Sequence, residues 1–172
     1  MIIFLFGTWG AGKSYVGDLI QRECGLLHME ADIQFDKKML NALHARKYHQ
    51  LDLTYYYDRV VRDIFNFQRR TNHFVVSQGI YQEVYRKMIY NVFDPDIRFI
   101  WVKYQNTKLQ KERLNQRAAT YGNPISAELY DYMLEYWEDP TIPHYSLMND
   151  PDLKHSIKAL LNRWGLCVSW DV

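Results

Sequence analysis

The sequence has little of several features that define whole classes of protein. Its 2 cysteines, Cys24 and Cys167, are too few for a disulfide framework. Its 6 histidines show no spacing typical of metal ligands. The longest purely aliphatic or aromatic run, Ile2–Phe6, is far shorter than the about 18 residues that span a membrane. No basic segment or small-residue cleavage site marks this run as a signal peptide. We therefore expect a cytoplasmic protein that contacts no membrane.

Neither sign of charge is in excess. The chain has 21 lysines and arginines against 20 aspartates and glutamates, a net charge of +1, which does not indicate binding to nucleic acid. A length of 172 residues with 48% apolar residues suits one globular domain over 1–172. Aromatic residues are abundant at 16%, with 14 tyrosines, as a well-filled core would have. The oligomeric state stays open, a homodimer included.

Apolar patterns alternate between those of strands and those of helices. Short apolar runs typical of buried strands occur at 2–6, 26–30, 74–77 and 97–104, with a weaker one at 144–148. Helical spacing covers about 13–23, 34–47, 53–70, 81–92, 107–117, 127–139 and 151–164. The alternation predicts an α/β fold, in which helices flank a parallel sheet of about five strands.

A phosphate-binding motif follows the first predicted strand. The segment Gly7-Thr8-Trp9-Gly10-Ala11-Gly12-Lys13-Ser14 fits the pattern G-x-x-x-x-G-K-[ST]. Its glycines let backbone N–H groups turn toward a phosphate chain. Lys13 would reach the outer phosphates, and the Ser14 hydroxyl would bind Mg²⁺. The residues expected to bind nucleotide are Gly7, Trp9, Gly10, Ala11, Gly12, Lys13, Ser14 and Tyr15. The alternative is a glycine-rich turn that only joins strand to helix.

The motif indicates a nucleoside triphosphate but not a reaction. A GTPase would carry [NT]-K-x-D after a strand, and Thr107-Lys108-Leu109-Gln110 lacks the aspartate, so this class is excluded. Thr107 and Gln110 instead fit a capping box at the start of a helix. Motor-type ATPases place an acidic residue at the end of an apolar strand. Only the predicted strand 26–30, with Asp32 just beyond it, does so.

Four segments together resemble one family. They are the phosphate loop, Glu30-Ala31-Asp32, residues 75–86 ending in Tyr85-Arg86, and Arg113-Leu114-Asn115-Gln116-Arg117 with the Glu-Asp-Pro at 138–140. In these segments the chain resembles the small P-loop kinases related to gluconate kinase and shikimate kinase, within the wider nucleoside-monophosphate-kinase-like group. The resemblance implies a three-layer P-loop kinase fold with a helical lid. It also implies ATP and Mg²⁺ as cofactors and a small-molecule phosphoryl acceptor.

The resemblance assigns roles on the nucleotide side. It implies that Arg113 packs on the adenine and that Arg117, four residues later on the same helical face, touches the phosphates. The lid would span about 113–128. Lys13, Asp32 and Arg117 are the expected catalytic residues, because phosphoryl transfer depends on positioning and charge neutralisation. Two solvated arginines on a surface helix are the alternative.

The acceptor is expected at the carboxyl ends of the strands, where open α/β sheets bind ligands. By the resemblance, Asp32 orients or deprotonates the acceptor hydroxyl, although an aspartate there also suits a helix N-cap. Arg86 and Arg59 are candidates to bind an anionic acceptor, with surface salt bridges as the alternative. Gly79 would let the acceptor approach the backbone, unless it is an ordinary turn. The acceptor-side helices would span about 34–70.

Departures from the family pattern concern the acceptor more than ATP. Gln78-Gly79 and Gln82 replace the Cys-Ser and Lys of the family, and the lid reads Thr120-Tyr121-Gly122-Asn123-Pro124. We expect a kinase for a hydroxyl group of a small anionic metabolite such as a sugar acid. One alternative is a nucleoside or nucleotide kinase, in which Tyr55-Tyr56-Tyr57 and Tyr81 would stack on a base. The other is a P-loop module that binds nucleotide without catalysis.

Overall fold

A parallel five-stranded sheet lies at the centre of the computed structural model, which describes residues 1–31, 35–121 and 125–166. The strands are β1 (Ile2–Phe6), β2 (Leu27–Glu30), β3 (Phe74–Gln78), β4 (Ile97–Lys103) and β5 (His144–Met148). Their order across the sheet is β2-β3-β1-β4-β5, and every neighbouring pair is parallel. Parallel neighbours need crossover connections, and helices supply them. The predicted parallel α/β fold is confirmed.

Seven α-helices in the described residues surround this sheet. They are α1 (Lys13–Cys24), α2 (Lys37–His44), α3 (Leu53–Gln68), α4 (Glu83–Phe93), α5 (Thr107–Tyr121), α6 (Ala127–Glu135) and α7 (Leu153–Arg163), and a 3₁₀ turn lies at Tyr48–Gln50. The helix predicted at 34–47 is shorter in the structure because Asp36 caps it, accepting a hydrogen bond from Met39 N at 2.8 Å. None of the described helices has the length and apolarity that crossing a membrane requires.

Two predicted helix N-caps are wrong. Asn106, not Thr107, caps α5: its Oδ1 accepts from Leu109 N at 2.9 Å. The Gln110 side chain is therefore not needed at the helix start and points elsewhere. The last helix begins at Leu153 rather than Pro151, after a turn in which Asp150 O accepts from Leu153 N at 3.1 Å.

Both faces of the central strands β1 and β3 are buried. Side chains alternate along each strand, so that Phe4, Phe6 and Val76 pack on one face with α3 and α4, whereas Leu5 and Val75 pack on the other with α1 and α7. Burial on both faces explains why these strands are apolar without alternation. A third apolar cluster packs the phosphate loop against α2, α5 and α6, and its buried members are Trp9, Leu43, Tyr81, Leu114, Ile125, Leu129, Tyr130 and Met133.

Candidate active site

A cavity of about 650 Å³ lies where the strands end, a volume typical of small-molecule sites. Eight residues predicted to bind nucleotide line it: Trp9, Gly10, Gly12, Lys13, Ser14, Tyr15, Arg113 and Arg117. Six lining residues were not assigned a site role from sequence: Glu30, Phe35, Leu40, Leu114, Ile125 and Asn149. The structure thus brings the phosphate loop and the helix of the two arginines to one cavity.

The phosphate loop depends on glycine at its narrowest points. A Cβ on Gly7 would lie 2.4 Å from Val102 O, and one on Gly12 would lie 2.1 Å from Asn149 Nδ2. Gly12 also has φ +96°, a backbone conformation that L side chains rarely adopt. The loop ends at Lys13, the first residue of α1, which is 5% exposed and donates from Nζ to Thr8 O at 3.0 Å.

Gln110 holds the phosphate loop against the helix of the two arginines. Its Nε2 donates to Thr8 Oγ1 at 3.2 Å and to Trp9 O at 3.5 Å, and its Oε1 accepts from the Tyr130 hydroxyl at 3.1 Å. Burial raises the pKa of Tyr130, so the phenol keeps the proton that it donates. Gln110 itself is 2% exposed. This residue was predicted only as part of a helix cap.

Asn149 supports the loop from the opposite side. Its Nδ2 donates to Ala11 O at 2.9 Å, while its backbone N–H donates to Lys103 O at 2.9 Å. Asn149 directly follows β5, so it lies at the carboxyl end of a strand. Open α/β sheets bind ligands at the carboxyl ends of their strands, and this rule, which predicted a role for Asp32, also applies to Asn149 after the weak fifth strand.

Arg113 and Arg117 both line the cavity from α5. The Arg113 guanidinium lies 5.2 Å from the centre of the Tyr104 ring, in a cation–π contact. Both positions are exposed, yet they face the cavity rather than open solvent alone. Residues 122–124 of the expected lid, and with them Gly122 and Pro124, lie outside the described residues.

Of the acceptor residues expected from sequence, the three that the structure describes, Arg59, Gly79 and Arg86, do not line this cavity. Asp32 lies outside the described residues, one position after Ala31. Arg59 is on α3, where its guanidinium lies 5.9 Å from the centre of the Tyr55 ring, and it does not line the cavity. In front of Gly79 lies the Trp9 indole: a Cβ on Gly79 would be 2.6 Å from Trp9 Nε1. The chain's own tryptophan therefore fills the space expected for an approaching acceptor.

Arg86 is buried in a structural network. Its side chain is 0% exposed; Nε donates to Glu83 Oε2 at 2.5 Å, and the two terminal nitrogens donate to Ile80 O and Glu138 O. Glu83 Oε1 in turn accepts from Thr141 N and Oγ1 and from Ile142 N at 2.6–2.9 Å. The pair thus ties α4 to the segment before β5. Arg86 is neither on the surface nor on the wall of the cavity.

Hydrogen bonds determine the charge state of Glu83. Burial alone raises the pKa of its carboxyl group, but hydrogen bonds from Thr141 and Arg86 outweigh burial and lower that pKa below its usual value. Glu83 is therefore ionised at neutral pH. An ionised carboxylate with several donors is the partner that a buried guanidinium requires.

The tyrosines expected to stack on a base mostly serve the core. The Tyr56 hydroxyl donates to Ala31 O at 3.2 Å and the Tyr57 hydroxyl to Gly79 O at 2.9 Å, and both residues are buried. Tyr55 is 44% exposed on α3, and Tyr81 is buried in the cluster around Trp9. Among the described residues, the aromatic rings that line the cavity belong to Trp9, Tyr15 and Phe35.

The donor set fits Mg²⁺ bound together with a phosphate chain. Within the described ranges no group of three or more His, Cys, Asp or Glu could form a metal cage. Mg²⁺ in nucleotide sites needs no such cage, because substrate phosphates and water supply most of its ligands. Ser14 lines the cavity beside Lys13, so its hydroxyl is placed to be a protein ligand.

Asp18 on α1 lies close to His28 on β2 and, through it, to Ser77 on β3, three residue types that occur together in some active sites. His28 Nε2 is 2.9 Å from Ser77 Oγ, and His28 Nδ1 is 2.9 Å from Asp18 Oδ1. This arrangement resembles the triad of a serine hydrolase. Ser77 is however 1% exposed, and none of the three lines the cavity described above. The contacts therefore join α1 to β2 and β3 and offer no accessible nucleophile.

The phosphate loop after β1, the strand order and the helical layers are those of the P-loop kinase fold. Solved structures with this fold are similar to the chain over nearly its whole length. A gluconokinase from Sinorhizobium meliloti 1021 is 20% identical, with a TM-score of 0.69 over 94% of this chain and 91% of that one. A sugar kinase from Janibacter sp. HTCC2649 is 16% identical, with a TM-score of 0.72 over 96% and 94%.

A deoxyadenosine kinase from M. mycoides, solved with bound dATP, is 17% identical, with a TM-score of 0.62 over 96% of this chain and 100% of that one. At such identities the likeness shows the fold alone. No protein-family model matches the sequence, and no curated protein sequence matches it significantly. The expected resemblance to P-loop kinases is confirmed at the level of fold.

Proposed function

We propose that the protein is a small-molecule kinase that transfers the γ-phosphoryl group of ATP to a hydroxyl group. The observation that carries the proposal is the single cavity that Lys13, Ser14, Arg113 and Arg117 line together. A lysine, a metal-binding hydroxyl and arginines from a second element are the groups that neutralise a migrating phosphoryl group. A passive phosphate site would not need arginines from another helix.

Each residue has a separate task in this proposal. Lys13 neutralises charge on the outer phosphates, and Arg117 neutralises charge that develops during transfer. The Ser14 hydroxyl would hold Mg²⁺, which would supply positive charge against that of the phosphates. Asp32 would accept a hydrogen bond from the acceptor hydroxyl and orient it, as the resemblance implies.

Exclusion of water is assigned to the ends of α5 and α6. ATP hydrolysis competes with transfer, so a kinase has to close its site around both substrates. Leu114 and Ile125 line the cavity from this side, and Ala127 N donates to Asn115 Oδ1 at 3.3 Å, which holds the two helices together. The lid would therefore comprise about residues 113–128.

Two classes of acceptor compete within this function. A sugar acid is favoured by the resemblance to gluconate kinase and by the likeness in fold to a gluconokinase and a sugar kinase. A nucleoside is favoured by the Trp9 and Phe35 rings in the cavity and by the likeness to a deoxyadenosine kinase. The third candidate, a non-catalytic nucleotide-binding module, predicts ATP binding without transfer.

The test is ADP release from ATP and Mg²⁺ with panels of sugar acids, neutral sugars and nucleosides. We expect at least one compound to stimulate ADP release and to be recovered with one added phosphate. Lys13→Met should lower kcat by about 100-fold or more, whereas Lys158→Met on α7 should not. Asp32→Asn should lower kcat while ATP affinity is kept. Tight ATP binding with no acceptor-dependent ADP release would favour the non-catalytic module.

A further inference from the structure

We propose that the acceptor is uncharged: a hydroxylated compound with a flat apolar face, the chemistry that nucleosides share with neutral cyclic polyols. This inference rests on the proposed kinase function and names the substrate class of the same cavity. It differs from the anionic acceptor that the sequence favours. Four properties of the cavity support it.

The first property is the position of the positive charges. Residues 32–34, 122–124 and 167–172 contain no lysine or arginine, so all 21 of these cations lie in described residues. Those that line the cavity are Lys13, Arg113 and Arg117. The proposed function uses all three for the nucleotide, because the polyphosphate chain needs cations around it. None is left for a carboxylate or phosphate on the acceptor.

The second property is that the two arginines expected to bind an anion are placed elsewhere. Arg86 donates to Glu83 Oε2, Ile80 O and Glu138 O, and it is completely buried. Its guanidinium also lies 5.7 Å from the centre of the Phe6 ring. Arg59 packs against Tyr55 on α3. Neither lines the cavity, so an anionic acceptor would lack a partner of opposite charge there.

The third property is negative charge on the cavity wall. Glu30, at the end of β2, lines the cavity. A carboxylate on the acceptor, a few ångströms from that of Glu30, would be repelled and would bind more weakly. This repulsion grows as water is excluded. Hydroxyl groups carry no such cost, because a carboxylate accepts hydrogen bonds from them.

The fourth property is the chemistry of the rest of the wall. Trp9, Phe35 and Leu40 are apolar residues on the side of Glu30 and α2. The Phe35 ring stacks on Tyr56, with centres 5.2 Å apart and planes 12° from parallel. A ring supported in this way has a fixed orientation and presents a flat surface. Flat apolar faces, of a base or of a ring's C–H groups, pack on such surfaces.

Two buried polar groups at Gly79, next to Gln78 in the chain and 2.6 Å from Trp9 Nε1 at its Cβ position, are also uncharged. In the described part of the chain, Trp9 Nε1 and Gln78 Oε1 are buried without a hydrogen-bond partner. Tyr56 fixes the orientation of the Gln78 amide: its hydroxyl proton goes to Ala31 O, so the same oxygen accepts from Gln78 Nε2 at 2.8 Å. Neither Trp9 Nε1 nor Gln78 Oε1 adds a charge for an anion.

The test uses compounds paired to differ in charge. Methyl glucopyranoside is compared with methyl glucopyranosiduronate, methyl shikimate with shikimate, and deoxyadenosine with deoxyadenosine monophosphate. Binding of each is measured by calorimetry to the enzyme saturated with a non-hydrolysable ATP analogue and Mg²⁺. We expect the uncharged member of at least one pair to bind at least tenfold more tightly than its anionic partner. Equal affinity, a preference for the anion in every pair, or no binding by any uncharged compound would overturn the inference.

A matched pair of variants tests the charge argument. Glu30→Gln removes a carboxylate from the cavity wall, and Glu112→Gln removes one from an exposed position on α5 that does not line it. The ratio of the affinities for the uncharged and the anionic member should fall several-fold in Glu30→Gln and stay unchanged in Glu112→Gln. The same fall in both variants, or in neither, would show that Glu30 does not select against anions.

Turnover, measured separately with ATP, distinguishes the two proposals. Binding of an uncharged compound without transfer to any compound would contradict the kinase function and leave the ligand class intact. Transfer to sugar acids in preference to neutral compounds would contradict this inference and leave the kinase function intact. The compound pair that shows the preference for its uncharged member also identifies whether the acceptor is a nucleoside or a polyol.

Discussion

The side-chain amide of Gln110 donates a hydrogen bond to Thr8 Oγ1 at 3.2 Å and so joins α5 to the phosphate loop. Arg113 and Arg117 lie one and two turns further along the same helix. A shift of the loop on nucleotide binding would therefore be transmitted to both arginines. Tyr130 extends the connection to α6 through Gln110 Oε1, so one buried amide positions three elements around the cavity.

Replacing Gln110 should weaken nucleotide binding. Gln110→Met keeps the length of the side chain but removes its hydrogen bonds with the Thr8 and Tyr130 hydroxyls. We expect the Kd for ATP, measured by calorimetry, to rise about tenfold. The free energy of unfolding in urea should fall by about 1–3 kcal/mol, the cost of buried unpaired polar groups. Tyr130→Phe, which removes the hydrogen bond to Gln110 Oε1 and leaves the contact of Gln110 with Thr8, is the control and should change ATP affinity by less. An unchanged Kd for ATP in Gln110→Met would show that Gln110 does not position the phosphate loop for nucleotide binding.

Gln110 and Asn149 show where inference from sequence stops. Strands, helices and the phosphate loop depend on short-range patterns, and these predict the order and approximate bounds of nearly every element. The partners of Gln110 are about a hundred residues away at Thr8 and 20 residues away at Tyr130. Such pairs depend on how helices pack across the end of the sheet. A local pattern instead assigned Gln110 to a cap that Asn106 already forms.

Arg86 shows how a residue type can mislead. The apolar residues at helical spacing over 81–92 include Val84 and Val92, but these are 62% and 44% exposed. The face that is buried carries Glu83, Arg86, Ile89 and Phe93. An acid and a base three residues apart can pair on one helical face, and this spacing was the signal for a buried ion pair. Because Glu83 and Arg86 are charged, the pattern of apolar residues did not indicate which face of α4 is buried.

Gly12 should be less tolerant of a side chain than a glycine with a similar backbone elsewhere. Gly12→Ala would place a Cβ 2.1 Å from Asn149 Nδ2, whereas Gly25, with φ +70°, has nothing within 4 Å of its Cβ position. Gly12→Ala and Gly25→Ala should each lower the free energy of unfolding by about 1–2 kcal/mol, because both positions have the left-handed conformation. Only Gly12→Ala should also raise the Kd for ATP, by tenfold or more. Equal effects on stability and equal, small effects on ATP affinity would show that the contact with Asn149 does not matter.

Arg86→Met should destabilise the fold without changing recognition of the acceptor. Removing the guanidinium leaves the Glu83 carboxylate buried without its charged partner, and such losses cost about 3–5 kcal/mol. We expect that decrease in urea unfolding, and an unchanged KM for the acceptor in the folded fraction. The double variant Glu83→Gln/Arg86→Met should recover part of the stability. A KM raised tenfold with stability intact would instead assign Arg86 to acceptor binding.

The same ion pair should make stability depend on pH. The pKa of Glu83 in the folded state is lowered from a usual value of 4.5, since its hydrogen bonds from Thr141 and Arg86 outweigh the opposing effect of burial. A lowered folded-state pKa stabilises the protein above the unfolded-state pKa, and that contribution is lost as the pH falls toward the folded-state value. The free energy of unfolding, followed in urea from neutral pH to about pH 3, should therefore fall below about pH 4.5 in the wild type. Glu83→Gln, which cannot titrate, should show a smaller fall over this range, whereas the exposed variant Glu112→Gln should follow the wild type. If Glu83→Gln and the wild type lose stability in parallel, other carboxylates account for the acid sensitivity.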